Sequence, residues 1–257
     1  MDILPNSPNE DSWHILNGDA LKDQMAETPI TGSFLMVREV MMDGPLDGDF
    51  PDGFYQKRGR YLADDLEDFE VEVYFEWTVK ELEKIKCISD SAVICLWFEE
   101  DLFCQANMWF VLHLLFSQGL VNQLYWVRPL AASRYSFGHL RPEDLNLCFA
   151  ERVRISAEEA AVFDQLWRAY VVGDVPKMRE VGDELRLKFL SVREAVRLHV
   201  DRLPNGEDPG RPVRVLRSVV EEIGRADFGK VFRLFQERLP EYGYGDLQVR
   251  RMLKELK

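Results

Sequence analysis

Three clusters of polar residues each stand at the end of an apolar run, where a fold could bring them together for chemistry. They are Asn17, Gly18 and Asp19; Arg38 and Glu39; and Glu99, Glu100 and Asp101. Because the carboxyl ends of strands in open α/β sheets form ligand-binding crevices, such positions are typical of a binding or active site. The sequence therefore predicts a site that draws on all three clusters.

The clusters contain acids and one strong cation. Asp19, Glu39, Glu99 and Asp101 are the candidate catalytic acids, and carboxylates are the ligands that Mg²⁺ or Mn²⁺ prefers. A metal held by Asp19, Glu99 and Asp101 would polarise a phosphoryl oxygen or activate water. Arg38 is the candidate clamp for a phosphate or a carboxylate. Asn17, Gly18 and Gln105 complete the candidate ligand-binding set, with Gln105 as an orienting amide.

Structural interpretations compete with these roles. Asp19 and Asp101 each precede a predicted helix and would serve as N-terminal caps. Arg38 and Glu39 would form half of an ion pair at the end of the sheet. Gln105 would bond the neighbouring strand end rather than a ligand, since a polar amide in an apolar helix needs a partner. A third interpretation is an anionic or nucleotide-like ligand bound without metal.

Alternating elements position the clusters. Apolar runs predict strands over residues 13–16, 33–41, 92–98 and 123–127, and helical patterns separate them at 19–26, 54–62, 73–86 and 102–117. This alternation predicts an N-terminal, Rossmann/flavodoxin-like parallel sheet of about four strands with crossover helices. In flavodoxin-like order the first and third strands are neighbours, which would place Asp19 beside Glu99 and Asp101.

The remainder of the chain predicts only helices. We expect an α/β domain over residues 1–130, a helical region over 131–203, and a trihelical, winged-helix-like module over 204–257 after a Pro- and Gly-rich linker. Residues 174–190 form one of the predicted helices, and Ser156 with Glu159 has capping-box spacing before another. Residues 1–12 are polar and contain two prolines, which is typical of a loose leader.

The composition of the chain limits the kinds of partner that it is expected to bind. The net charge of −13 and the isoelectric point of about 4.9 argue against general nucleic-acid binding, which needs a basic footprint. DNA binding through residues 211–257 is the less favoured alternative, because the basic residues there are interleaved with acids. Those basic residues are Arg211, Arg214, Arg217, Arg225, Lys230, Arg233, Arg250 and Arg251.

Other residues with reactive side chains predict structural roles. The four cysteines lack zinc-like spacing and are expected to be free thiols in a reducing cytosol. His113 lies on an apolar helix and is expected to be a hydrogen-bonded core residue. No apolar run approaches the length of a membrane span. We therefore expect a cytoplasmic protein without membrane contact.

Several blocks of the sequence resemble a bacterial family, the domain of unknown function 1835. The blocks are His14 to Asp19, Arg38 to Pro45, and Leu96 to Gln105, and the segment with Gly245 and Asp246 resembles a small helical domain that often follows that family's domain. The chain departs from the pattern at Pro209 to Pro212, where a Leu-Thr-like helix start is expected. The resemblance implies no activity, because none is assigned to either family.

Together these observations predict a protein that binds a small phosphorylated or nucleotide-like ligand at the carboxyl end of the sheet. Metal-assisted hydrolysis is one form of this hypothesis. The competing hypothesis is a non-enzymatic regulatory or protein-interaction protein whose polar strand ends are only caps and ion pairs. The helix over 102–117 is apolar on all sides, so it is buried within one chain or shared with a second copy in a homo-oligomer.

Overall fold

The computed structural model describes residues 11–65 and 70–256 and has a mixed α/β fold built on a five-stranded sheet. The strands are β1 (Ser12–Leu16), β2 (Ser33–Met36), β3 (Val93–Trp97), β4 (Leu124–Val127) and β5 (Val153–Ile155). Their spatial order is β2-β1-β3-β4-β5. The first four are parallel, and β5 pairs antiparallel with β4. The first and third strands are therefore adjacent, which the sequence alone left open.

Two strand predictions need correction. The second strand, predicted over 33–41, ends at Met36, and Val37 N makes the last ladder bond to Leu16 O at 2.8 Å. Arg38 and Glu39 consequently lie in the loop beyond the strand. The region 131–203, predicted to be all helical, contributes β5, and three residues at a sheet edge are too few to show a strand's alternation.

The first half of the chain contributes short helices and one long central helix. They are α1 (Ala20–Met25), α2 (Asp52–Asp65), α3 (Val71–Tyr74), α4 (Lys80–Glu83) and α5 (Leu102–Ser117). A π-helical turn over Phe75–Val79 joins α3 to α4, and a 3₁₀ turn over Lys84–Cys87 follows α4. The predicted helix from about Val73 is confirmed. Residues 1–10 of the predicted leader lie outside the described residues, and Ser12 already belongs to β1.

The second half contributes a further series of helices. They are α6 (Pro142–Ala150), α7 (Ala157–Val172), α8 (Val175–Leu185), α9 (Leu190–Arg202), α10 (Arg211–Ile223), α11 (Phe228–Arg238) and α12 (Asp246–Glu255). The helix predicted over 174–190 is present but shorter, since α8 ends at Leu185 and α9 begins at Leu190. Ser156 caps α7 as predicted, accepting from Glu159 N at 3.2 Å. Pro212 is accommodated in the first turn of α10, where a proline needs no amide partner.

The core lies on both faces of the sheet. Leu16, Cys95 and Trp97 point to the face that α1 and α6 cover, whereas Ile15 and Leu96 point to the face that packs with α5. Twelve of the sixteen residues of α5 are buried, because α7, α9 and the turn over Pro240–Tyr242 surround it. This burial within one chain accounts for the apolar character of α5 on all sides. No helix in the described ranges is long and apolar enough to cross a membrane.

Candidate functional site

The ends of β1 and β3 form one edge, as the order of the strands requires. Leu16 is paired with Trp97, and Asn17 N donates to Trp97 O at 3.3 Å. The chain passes from β1 to β2 on one side of this edge and from β3 to β4 on the other, so the edge is a topological switch point. The backbones that carry Asn17 and Glu99 therefore leave the sheet side by side, as predicted.

The Asn17 side chain joins the two strand ends. Its Nδ2 donates to Cys104 Sγ at 2.9 Å, and its Oδ1 accepts from Asn107 Nδ2 at 2.8 Å. Asn107 also donates to Glu39 O at 2.7 Å and accepts from Met41 N at 2.9 Å. Asn107 thus links the loop after β2 to the loop after β1. Sequence reasoning missed it, although it was a second amide inside an apolar helix.

Glu99 has no cationic partner among the residues that the structure describes, and the residue is only partly buried. Cys104 Sγ donates to its Oε2 at 3.2 Å, and Phe137 N lies 3.5 Å from its Oε1. Burial, with the neighbouring Asp101 carboxyl as a smaller cause, raises the pKa of Glu99 from 4.5 to about 7. The side chain is still partly exposed. Glu99 therefore can act as either a donor or an acceptor near neutral pH.

Glu100, the middle acid of the turn, is directed to other partners. Its carboxylate lies 3.0 Å from Arg134 Nε and 3.7 Å from Arg128 Nη1. Three consecutive acids thus have three different environments, and within the described part of the chain only Glu100 is paired with cations.

Asp101 is a helix cap. Its Oδ1 accepts from Cys104 N at 3.0 Å, and its backbone is extended, as a cap requires. The carboxyl is buried beneath the backbone of Gly243, where a Cβ would lie only 2.1 Å from Oδ1. Burial raises its pKa from 3.8 to about 6. Asp101 is therefore closed to a ligand, and the capping interpretation describes its position.

Asp19 does not cap α1. Its backbone is already helical and its side chain makes no cap hydrogen bond. Instead, Arg38 Nε and Nη2 each donate to the Asp19 carboxylate at 2.7 Å. These bonds lower the pKa of Asp19 and raise that of Arg38, and the Asp19 side chain is 56% exposed. Asp19 and Arg38 therefore form a bidentate ion pair beside the ends of β1 and β3, and this pair is accessible to solvent.

Trp77 extends this pair, and sequence reasoning missed it. Arg38 Nη1 donates to Trp77 O at 2.6 Å, and Arg38 Cζ lies 5.8 Å from the centre of the indole ring. The side chain is 62% exposed, which is unusual for a tryptophan in a helical segment. It sits on the π-helical turn, and nothing local in the sequence indicates that its ring lies beside Arg38.

Glu39 lies apart from the crevice in a closed ion pair. Arg58 Nη2 donates to its Oε2 at 2.8 Å, Tyr74 donates to its Oε1, and both charged side chains are fully buried. Arg58 also donates to Val40 O at 3.0 Å. Glu39 therefore fastens the loop after β2 to α2 and α3, which corrects its expected role as an acid of the site.

Gln105 holds the strand end. Its Nε2 donates to Glu99 O at 2.9 Å, so the structure selects the strand-bonding alternative. Its Oε1 is buried and has no hydrogen-bond partner among the described residues. Gly18 has φ +90°, which favours glycine, and nothing lies within 4 Å of the position of a Cβ there. The loop between β1 and α1 is thus open to solvent at Gly18.

The described residues supply no donor set for a metal. No three histidine, cysteine, aspartate or glutamate side chains in residues 11–65 and 70–256 are grouped to hold an ion. The candidate ligands have other partners: Arg38 binds Asp19, and α5 binds Asp101. Cys104 is a free thiol whose pKa is raised well above 9 by burial, so it is an unreactive member of the cluster.

The comparisons with known proteins add no relative to this description. No family model, no curated protein and no solved structure matches the chain.

Proposed function

We propose that the protein binds a phosphorylated, nucleotide-like ligand at the edge where β1 and β3 end, without metal-assisted hydrolysis. The observation that carries the proposal is the contact between Arg38 and the exposed ring of Trp77 beside this edge. A guanidinium for a phosphate and an aromatic face for a base are the two groups that a nucleotide needs. The order of the strands supports a Rossmann/flavodoxin-like assignment of the sheet, in which ligands occupy this position.

Arg38 is available to a phosphate although it is paired. Its partner Asp19 is more than half exposed, and exposed ion pairs contribute only about 0–1 kcal/mol. A phosphate that replaces the Asp19 carboxylate keeps the same bidentate geometry and brings more negative charge. Replacing the Asp19 carboxylate with a phosphate at Arg38 therefore costs little free energy.

Trp77 supplies the stacking surface. A base on its exposed face would gain about 1–3 kcal/mol, and the gain depends little on the identity of the base. The adjacent guanidinium is held in place by the Trp77 carbonyl, so the phosphate-binding group and the stacking group keep a fixed relation. This arrangement favours a ligand in which a ring and a phosphate are joined by a short spacer.

Glu99 supplies hydrogen bonding from the β3 side of the edge. Because its pKa is about 7, its carboxyl either donates or accepts, and it suits the sugar hydroxyls or the edge of a base. The Asn17–Cys104 hydrogen bond fixes the thiol that binds it. We leave metal chemistry out of the proposal because the carboxylates that would hold a metal have other partners.

Membership in the domain of unknown function 1835 stays a proposal. It is supported by the way the three resembling blocks, which are far apart in sequence, meet at one edge of the sheet. A solved structure of a family member with the same strand order and an arginine at the position of Arg38 would support it. A different strand order in that member would contradict it.

The test is isothermal titration of the full chain with AMP, adenosine and ribose 5-phosphate, with and without Mg²⁺. We expect AMP to bind most tightly, each fragment to bind more weakly, and Mg²⁺ to have no effect on affinity. Trp77→Ala should weaken AMP and adenosine by about tenfold while ribose 5-phosphate changes little. Leu187→Ala, at another exposed apolar residue, is the matched control.

Two outcomes contradict the proposal. One is the absence of heat with all three ligands at millimolar concentration. The other is AMP binding that Trp77→Ala and Leu187→Ala affect equally. Either result would favour the competing hypothesis, in which the exposed Trp77 is part of a protein-interaction surface.

A further inference from the structure

A concave site lies away from the edge where β1 and β3 end. It is a cavity of about 390 Å³ between the loop after β2, α2, α5 and the end of α7. This volume is within the usual range for small-molecule pockets, about 300–1,000 Å³. His113, which lines it, is nine residues beyond Cys104 on α5, or about 14 Å along the helix axis. The cavity is therefore separate from the nucleotide site proposed above.

The walls of the cavity are mostly aromatic. Phe50, Phe54, Phe110 and Trp167 line it, and Phe54 and Phe110 stack with ring centres 5.7 Å apart. Such walls favour a flat, apolar ligand because they bury its surface and offer offset or edge contacts to its ring.

The polar side of the cavity is formed by His113 and Arg168, which share one buried carboxylate. Asp164 Oδ1 lies 2.6 Å from His113 Nδ1, and Asp164 Oδ2 accepts from Arg168 Nε at 2.7 Å. Both oxygens of Asp164 thus have a hydrogen-bond partner. These contacts reduce the repulsion between this carboxylate and an incoming anion. The expectation that His113 is hydrogen bonded is confirmed.

The groups left for a ligand point to its chemistry. Arg168 is largely exposed, and its two terminal nitrogens have no hydrogen-bond partner within the described ranges. Asp164 occupies His113 Nδ1, so Nε2 is the ring nitrogen available to a ligand. A carboxyl group bonds to Nε2 in either protonation state, as carboxylate to imidazolium or as acid to imidazole. A neutral ligand would leave the Arg168 nitrogens without a charged partner.

We propose that this cavity binds an aromatic monocarboxylate, with its ring among the phenylalanines and its carboxyl on Arg168 and His113. The Asp164 carboxylate holds the His113 and Arg168 side chains in place, so the carboxyl site is preorganised. The ligand enters with its ring first, and its charged end stays at the exposed Arg168.

The test compares 2-naphthoate with 2-naphthalenemethanol, which has a similar ring and no charge, by titration of the full chain. We expect naphthoate to bind at least tenfold more tightly than the alcohol. Arg168→Gln should weaken naphthoate about tenfold and leave the alcohol unchanged, since a charged hydrogen bond is lost. His113→Gln should also weaken naphthoate. Arg179→Gln, an exposed arginine on α8, is the control, and saturating AMP should not compete.

Equal affinity for the two probes, or the same naphthoate affinity in Arg168→Gln and Arg179→Gln, would overturn the proposal, because the site would then not recognise a carboxylate. Absence of naphthoate binding at millimolar concentration would overturn it as well. Competition by AMP would place naphthoate at the crevice and would also overturn it. The comparison of the two probes and the comparison of the two arginine variants do not depend on whether AMP binds through Arg38.

Discussion

At the scale of single residues, neighbouring acids have the same functional group and differ in the residues that surround it. Asp101 is buried, caps α5 and is covered by Gly243, whereas Glu99 is partly exposed and its hydrogen bonds come from a thiol and a long amide contact. Two residues of the same charge, two positions apart, therefore have different roles. The cap is structural, and Glu99 is the acid open to a ligand.

Glu99 yields a prediction about stability and pH. Its pKa is about 7 in the folded chain against an ordinary 4.5, so between these values the folded state holds more protons than the unfolded state. The contribution of Glu99 to the free energy of unfolding is therefore greatest below pH 4.5 and is lost as the pH rises through 7. Glu99→Gln removes this loss and should stabilise the protein at pH 8 by on the order of 2 kcal/mol.

Urea unfolding of both proteins at pH 5 and pH 8 measures this difference. The gain from Glu99→Gln should be small at pH 5, where wild-type Glu99 is mostly protonated, and large at pH 8. Asp101, whose pKa is also raised by burial, is present in both proteins and cancels in the comparison. An equal effect of the substitution at the two pH values would contradict the assignment.

The buried pair of Glu39 and Arg58 yields a second prediction. Glu39→Gln leaves the fully buried Arg58 without a compensating charge, which typically costs about 3–5 kcal/mol. Asp19→Asn, at the exposed pair with Arg38, should cost less than about 1 kcal/mol. Urea unfolding at pH 7 would show the contrast, and similar losses for both variants would place Glu39 in a solvated environment instead.

At the scale of elements, the turn before α12 closes the start of α5. Gly243 has φ +67°, and a Cβ there would meet the Asp101 carboxylate that caps the helix. Gly119, just beyond the end of α5, has a similar φ of +73° with nothing within 4 Å. The two glycines share a backbone conformation and differ in their surroundings, so they form a matched pair.

Substitution with alanine should separate the two contributions. Gly119→Ala should cost only the conformational strain, about 1–2 kcal/mol, while Gly243→Ala should cost at least about 2 kcal/mol more because the Asp101 contact must shift. Guanidinium unfolding of both variants measures the difference. Equal losses of unfolding free energy would mean that the turn before α12 is not in close contact with the Asp101 cap.

The sequence anticipates elements better than contacts. The four parallel strands, the bounds of α5 and the cap of α7 follow from local patterns, because periodicity and capping residues are local signals. The end of β2, the strand β5 and the partner of Asp19 depend on residues elsewhere in the chain. Arg38 meets Trp77 across 39 positions and Asp101 meets Gly243 across 142, and no local pattern encodes such a pairing.

At the scale of the whole molecule, the C-terminal helices are part of the same core as α5. Leu216, Val231 and Phe235 belong to the hydrophobic cluster that includes the face of the sheet. Asp43, in the loop after β2, accepts from Gln248 Nε2 at 2.6 Å and from Arg202 Nη1 at 3.4 Å. We therefore expect urea unfolding to give one transition with the same midpoint by circular dichroism and by tryptophan fluorescence. Two separate midpoints would contradict a shared core.

The charges of the C-terminal helices argue against DNA binding. Basic residues there lie in ion pairs, including Arg211 with Glu241 at 2.7 Å, Lys230 with Asp227 at 3.1 Å, and Arg238 with Glu222. We expect no salt-sensitive retention of the chain on immobilised DNA. Retention that weakens with added salt would support the DNA-binding alternative for residues 211–257.

The central claim is that Arg38 exchanges the Asp19 carboxylate for the phosphate of a nucleotide-like ligand. Titration of Arg38→Gln with AMP and adenosine, beside Arg179→Gln as the control, tests it most directly. The account predicts that Arg38→Gln weakens AMP at least about tenfold and leaves adenosine unchanged, whereas Arg179→Gln changes neither affinity. Equal AMP affinity in wild type, Arg38→Gln and Arg179→Gln would contradict it.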